Sequence, residues 1–226
     1  MSDFLSTVTA FFEYFWQTVQ LINPGMSITL GLFFVTILLS VPLGLIVSLG
    51  AMNKHKFVSS PIKFYIWVMR GTPLMLQLLF MYYGLALMFG ISLDNFTAGI
   101  LAFALNYAAY FAEIFRAGIQ SIDKGQYEAA KALGFSNVQT MWRIIIPQTI
   151  SRILPPVGNE AITLVKDTSL VSVITLTDIL LRAKQITMTE GNVSAYGVVA
   201  VYYLFMTFIL TKLFDYLEKR FSSGLY

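Results

Sequence analysis

Few side chains in this sequence can do chemistry, and most of them stand where charge is costly. Glu113 and Arg116 close an otherwise uncharged run that begins at Phe96. Three residues apart on a helix, they face each other and read as a structural ion pair, with a part in a gate as the alternative. Arg152, Asn159, Glu160 and Lys166 punctuate another apolar stretch, Ile144 to Lys166, which also carries Pro147, Pro155 and Pro156. Arg70 sits beside Gly71-Thr72-Pro73, with Gln77 a turn or two further on. At the centre of a membrane helix a charge costs about 2.5–3.5 kcal/mol on insertion scales. Such a group faces a partner, a wet cavity or another subunit rather than lipid. Proline-broken helix at membrane depth survives under the same restriction, and in transporters such breaks mark where solute binds. Asn159 and Glu160 therefore lead as pathway residues, Glu160 because its carboxylate can receive an ammonium or a cationic side chain. Arg70, Gln77, Asn106 and Tyr107 join them. Polar packing between helices, or at a seam between subunits, is the equal alternative.

What is missing narrows the chemistry further. There is no cysteine, which excludes disulfides and thiolate chemistry. The single histidine, His55, lies between two lysines, which argues against a histidine-based metal site or proton relay. No G-x-x-x-x-G-K-[ST] loop is present, so the chain binds no ATP through a P-loop of its own. No Ser/His/Asp set or HExxH appears, and with one histidine most catalytic templates fail. The expectation is a non-enzyme with no metal or cofactor of its own. Active movement of a solute would draw on an ion gradient or on a separate ATPase.

The elements that position these residues are membrane helices. The chain is 57% apolar and 12% charged, with a mean hydropathy of +0.70, where soluble domains run near 45–50% and 25%. Spanning the hydrocarbon takes about 20 helical residues. Runs of that kind lie at Met26 to Met52, Phe57 to Phe89, Phe96 to Ile119, Ile144 to Lys166 and Ser194 to Leu213. The fold class is an all-α integral membrane protein with five spans. Residues 1–25 form an aromatic interfacial segment closed by a turn at Asn23-Pro24-Gly25, 26–217 the membrane domain, and 218–226 a tail. Lysines and arginines orient it. Lys54, Lys56, Lys63, Arg116, Lys124, Lys131, Arg143, Lys212, Lys219 and Arg220 fall on one side, ten against Lys166, Arg182 and Lys184 on the other. By the positive-inside rule the ten are cytoplasmic and the N-terminus is outside. The net charge of +3 gives no reason to expect nucleic acid.

One polar island, about 121–143, interrupts the pattern on the cytoplasmic side. Asp123 is placed to N-cap a short helix, Gly134 to stop it, and Ser136 with Gln139 to form a capping box for the next. The island reads either as an ordinary loop or as a rigid docking element for a soluble partner. Lys166-Asp167-Thr168-Ser169 ends a helix, and Thr168 or Ser169 is placed to cap the following one.

The island also carries a resemblance. Glu128-Ala129-Ala130, Gly134, Ile144, Ile146 and Pro147 resemble the EAA signature of ATP-binding cassette (ABC) importer permeases, with Ile146 in place of the usual leucine. Arg70-Gly71-Thr72-Pro73, Glu113 to Ile119 and Lys166 to Leu170 are similar to the branch that takes up polar amino acids such as histidine, glutamate, glutamine and arginine. The resemblance spans roughly residues 26–217. It implies a five-helix type I importer permease in a prokaryotic cell membrane, paired with a second permease, identical or homologous. Two cytosolic ATP-binding subunits holding ATP and Mg, and an extracytoplasmic amino-acid-binding protein, would complete the assembly. It further implies that Gly125, Gln126, Glu128, Ala129, Ala130, Gly134 and Pro147 belong to the coupling element, and that Thr168 and Ser169 lie near the path. An ion-coupled carrier or channel component is the alternative reading.

Overall fold

The computed structural model describes residues 2–222, which are helical apart from short connections; Met1 and the last four residues of the expected tail, 223–226, lie outside the described residues. α1 (Ser2–Ile22) passes through a 3-10 turn, Asn23–Gly25, into α2 (Met26–Ala51). The turn expected at Asn23-Pro24-Gly25 does not stop the helix. Ile22 and Met26 both keep right-handed helical dihedrals, and Pro24 falls in a first turn, where its missing N–H is no loss. Gly25 is there for space, since a Cβ would come 2.6 Å from the carbonyl carbon of Asp178. α1 packs into the bundle: Thr18 and Ile22 are buried, and the Tyr14 hydroxyl donates to Glu190 Oε2 at 2.9 Å. Phe12 and Trp16 remain exposed.

The core is the parallel pair of α2 and α6 (Asn95–Gln120). Gly31 lies beside Phe96, Gly99 against Leu32, and Gly44 against Ala108 and Phe111. Between membrane helices lipid is as apolar as leucine, so association depends on close packing of small residues. Thr36, Ser40, Gly44 and Ser48 recur at every fourth position on the buried stripe of α2. Ala98, Gly99, Ala102, Ala108 and Ala112 answer them from α6.

Between these helices the chain turns a corner. α3 (Lys56–Gly71) gives way at Thr72-Pro73 to α4 (Leu74–Leu79), which continues through a π turn, Phe80–Gly84, into α5 (Leu85–Phe89). The two halves meet at 106°, so the expected second span contains a right-angled elbow. Asp94 then caps α6, accepting the Thr97 N–H at 3.0 Å. Hydrogen bonds from Thr97 hold its carboxyl below the usual carboxylate range.

The polar island follows as α7 (Lys124–Ala132) and α8 (Asn137–Thr140), and a π turn, Met141–Ile145, leads into α9 (Ile146–Asp167). The helix breaks expected from Pro147, Pro155 and Pro156 do not occur. Pro147 stands in the first turn, and Pro155 and Pro156 lie inside one unbroken helix. Packing against α6 and α11 (Ser194–Ser222) holds the helix through two missing N–H donors. α9 runs antiparallel to both neighbours. Gly118 of α6 faces Thr149 and Ile153, Gly158 faces Phe214 of α11, and Ser151 Oγ donates to the Phe221 carbonyl at 2.9 Å.

A 3-10 turn, Thr168–Ile174, ends on left-handed Thr175 (φ 59) and leads to α10 (Ile179–Glu190). Neither Thr168 nor Ser169 caps it. Thr168 Oγ1 bonds back to the Val165 carbonyl at 2.7 Å, and the cap is Asp178, accepting the Leu181 N–H at 2.8 Å. α11 extends 29 residues, so the described part of the expected tail continues its helix. Among the described residues three helical stretches are long and apolar enough to cross a membrane, Phe12–Ala51, Asn95–Gln120 and Ser194–Phe221; the bent pair Lys56–Gly71 and Leu74–Phe89 makes a fourth if it is one span.

Two predictions follow from this packing. Gly44→Leu would place its Cβ 2.7 Å from that of Phe111; overpacking of this kind costs about 1–3 kcal/mol and should lower the Tm of the detergent-purified protein. Asp178, outside the four spans, is fully buried, and burial pushes its carboxyl up from 3.8 to about 6. The folded state then holds more protons than the unfolded one across that window, so this contribution to stability falls as pH rises from about 4 to about 6. Asp178→Asn should flatten the dependence of Tm on pH in that range.

Candidate functional site

Two places gather the functional candidates. The first is the island. Asp123 Oδ1 accepts the Gly125 N–H at 2.6 Å and starts α7. Its end is a Schellman arrangement: the Gly134 N–H donates to the Lys131 carbonyl and the Phe135 N–H to the Ala130 carbonyl, both at 3.0 Å. Gly134 takes φ +81 to allow this, a conformation that costs other residues about 1–2 kcal/mol. The capping box is present, with Ser136 N donating to Gln139 Oε1 at 2.9 Å and Gln139 N to Ser136 Oγ at 3.3 Å. Ala130 is the buried seat of α7, while Gln126, Glu128 and Ala129 face outward. A dent of about 320 Å³ lies beside them, lined by Tyr127, Glu128, Lys131, Phe135 and Asn137. The result is a short helix, fixed at both ends, with its outer face uncovered. It is joined to α9 through Gln148, whose Nε2 donates to Gln126 Oε1 at 3.3 Å.

The second place is a cleft of about 550 Å³ between α6 and α9, closed by Arg70. α6 and its C-cap present Tyr110, Glu113, Ala117 and Ser121, spaced three, four and four along one face; α9 presents Arg152, Pro156 and Glu160, each four apart. A neighbouring cleft of about 400 Å³ shares Arg70, Tyr110 and Glu113 and adds Lys63 and Trp67 from α3. The expected ion pair forms and is bidentate: Arg116 Nε and Nη2 donate to the two Glu113 oxygens at 3.0 and 2.7 Å. Glu113 Oε2 also lies 3.7 Å from Arg70 Nη1. Arg70 in turn stacks over the Tyr110 ring, 5.3 Å to the centroid. At the other end Arg152 Nη1 donates to Ser121, to Oγ at 3.0 Å and to the carbonyl. Exposed arginines and half-buried carboxylates thus share a partly apolar cleft.

The other expected pathway residues are placed differently. Asn159 is exposed and does not line the cleft. Gln77 and Asn106 hydrogen-bond to each other and to the Met69 carbonyl at the elbow. Tyr107 is buried and donates to Asp167 Oδ2 at 2.8 Å, tying α6 to the end of α9. Thr168 is buried and Ser169 half-buried in the 3-10 turn beyond. Sequence reasoning missed Tyr110, although helical spacing from Asn106 and Glu113 marks it. It also missed Asp167 as the partner of Tyr107, sixty positions away, for which no local signal exists. Among the described residues no three His, Asp or Glu side chains gather as a metal site would require.

The family model described as binding-protein-dependent transport system inner membrane component matches residues 40–223. The arginine transport system permease protein ArtQ of Bacillus subtilis is 38% identical over 208 residues, 91% of this chain and 94% of that protein. The octopine transport system permease protein OccM of Rhizobium radiobacter is 36% identical, over 91% and 87% of the two chains. Among solved structures, an amino acid ABC transporter with histidines aligns at a TM-score of 0.83 and 40% identity, covering 96% of this chain and 98% of that one. The inward-facing MetNI methionine ABC transporter, at 16% identity and a TM-score of 0.73, shares the fold.

The capping box generates a prediction of its own. Ser136→Ala should cost about 1 kcal/mol of local stability. Hydrogen exchange at the Gln139 amide should then quicken roughly five-fold while α6 is unaffected.

Proposed function

The chain belongs to the family of binding-protein-dependent transport system inner membrane components, the permease subunits of ABC importers, and from that premise we propose that it carries an amino acid through the cleft between α6 and α9. The observation behind this reading is the pairing of opposite charges across one cleft. Arg70 is 44% exposed at its side chain and can meet a carboxylate. Glu160, on the facing helix, can meet an ammonium or a cationic side chain. An amino acid carries both groups. Fully hydrated ions would not need the apolar wall that Ile114, Ile153 and Pro156 provide.

In this reading α9 is the fifth span, too polar to face lipid because one side of it lines the cleft and the rest packs on α6 and α11. Its antiparallel course fits, as does the excess of lysine and arginine at the end where α6 stops and the island begins. That end is cytoplasmic, and the N-terminus lies outside. α7 is the coupling helix, with Glu128 and Ala129 on the face that docks on an ATP-binding subunit. ATP and Mg are bound there and not in this chain. A second permease, identical or homologous, completes the path, and an extracytoplasmic binding protein delivers the cargo. The membrane is that of a prokaryotic cell. Rigid-body movement of α7 would reach the cleft through the π turn and α9.

Two measurements test the assignment. In proteoliposomes with the ATP-binding subunits and binding protein, Glu128→Lys should leave ATP hydrolysis measurable and cut uptake at least ten-fold; unaltered coupling removes α7 from the docking role. Glu160→Gln should raise the KM for L-arginine about ten-fold, the size of one charge-assisted hydrogen bond, and change that for L-glutamine far less. Equal changes would take Glu160 out of side-chain recognition.

A further inference from the structure

The elbow between α3 and α4 leaves one backbone group without its ordinary partner. In a continuous helix the N–H of residue 73 would bond the Met69 carbonyl four positions earlier, and Pro73 has no N–H. At membrane depth an orphaned carbonyl costs several kcal/mol, so another donor must be found. Two side-chain amides supply it. Gln77 Nε2 and Asn106 Nδ2 each donate to the Met69 carbonyl at 2.9 Å. Asn106 Nδ2 also donates to Gln77 Oε1 at 3.0 Å, and Gln77 Nε2 reaches Thr72 Oγ1 at 2.7 Å. Thr72 Oγ1 in turn donates to the Val68 carbonyl at 2.9 Å. The Tyr65 hydroxyl, one turn earlier, donates to the Leu105 carbonyl at 2.5 Å, beside Asn106. The closing turn of α3 is thereby sewn to α6 and to the first turn of α4. Arg70, the residue after Met69, is carried by that turn into contact with Glu113 and Tyr110.

We infer that Gln77 and Asn106 form an amide clasp that fixes the 106° elbow and so aims Arg70 into the cleft, acting as positioning residues rather than as groups that touch the cargo. Their bonding supports this. Both Asn106 hydrogens and both Gln77 hydrogens are already engaged within the elbow, and Asn106 is 4% exposed. Neither amide lines the cleft. The transport consequence rests on the cleft being the path; the clasp itself does not.

The absence of cysteine allows a direct test on the assembled transporter. Spin labels at Ser60→Cys on α3 and Leu87→Cys on α5, both at exposed positions, report the elbow angle by pulsed dipolar spectroscopy. A single narrow distance distribution is expected, broadened or displaced by Asn106→Asp, which keeps the shape but replaces the two-donor amide with a carboxyl bearing at most one donor. The exchange of Gln77→Asn with Asn106→Gln keeps both amides and their summed length, and should return the distribution toward that of the parent. An unchanged distribution in Asn106→Asp overturns the clasp. ATP-dependent L-arginine uptake then tests its purpose. Arg70→Ala and Asn106→Asp should each raise KM about ten-fold, and the double variant no more than Arg70→Ala alone. Losses that multiply would overturn positioning through Arg70. A parent transporter that takes up no L-arginine would count against the proposed cargo, while the label distances still decide the clasp.

Discussion

Hydrocarbon offers no hydrogen bonds, and this one constraint organises the molecule. Every N–H and C=O at membrane depth must find its partner within the protein. Regular helix meets that demand without help. Any departure from helix needs side chains to replace the lost backbone pairs, and such departures are few and well supplied here. At the elbow, Gln77 and Asn106 take up the carbonyl that Pro73 strands. At the 3-10 turn after α9, Thr168 folds its hydroxyl back onto Val165. Buried backbone outside the spans meets the same demand: where α10 begins, Asp178 covers a free N–H. Polar residues that look costly in the sequence are in these cases what makes an irregular backbone tolerable.

That distinction separates what the sequence discloses from what it hides. Span positions follow from hydropathy, and α6 (Asn95–Gln120) lies within a residue of the apolar run Phe96 to Ile119 at either end, because the island marks where that run stops. The island was legible in detail, since caps, glycine stops and capping boxes are local devices acting over three or four residues. Pro155 and Pro156 misled, because a proline reports a missing donor and not whether tertiary packing bridges the gap. Gln77, Asn106 and Tyr107 were recognised as unusual, yet their partners are 8, 37 and 60 positions away. A pattern read along one helix cannot find them.

The same logic divides the charged groups. Glu113 is held by two arginines on different helices, so the ion pair expected from i, i+3 spacing is one of two contacts in a three-membered set. An arginine pair on one carboxylate leaves positive charge to spare, and it is spare on the cleft side, at Arg70. Glu160 stands across from it without an ion-pair partner in either contact of that set. On the proposed reading, a cleft built so suits a solute bearing charges of both signs better than a simple anion or cation.

In the proposed reading the drive comes from an ATP-binding subunit, and whatever opens the cleft arrives through the helices of this chain. α9 is the element that touches everything required. Its first turns bond the island through Gln148 and the end of α6 through Arg152; its middle lines the cleft at Pro156 and Glu160; its end is tied to α6 by Asp167 and Tyr107. The π turn at Met141–Ile145 lies between α9 and the island, where a wider helical turn can alter direction without breaking the chain. A push on α7 would therefore load a rod anchored to α6 at both ends. In the proposed reading such a rod answers by bowing between its anchors, where Pro156 and Glu160 line the cleft, and so changes the width of the cleft.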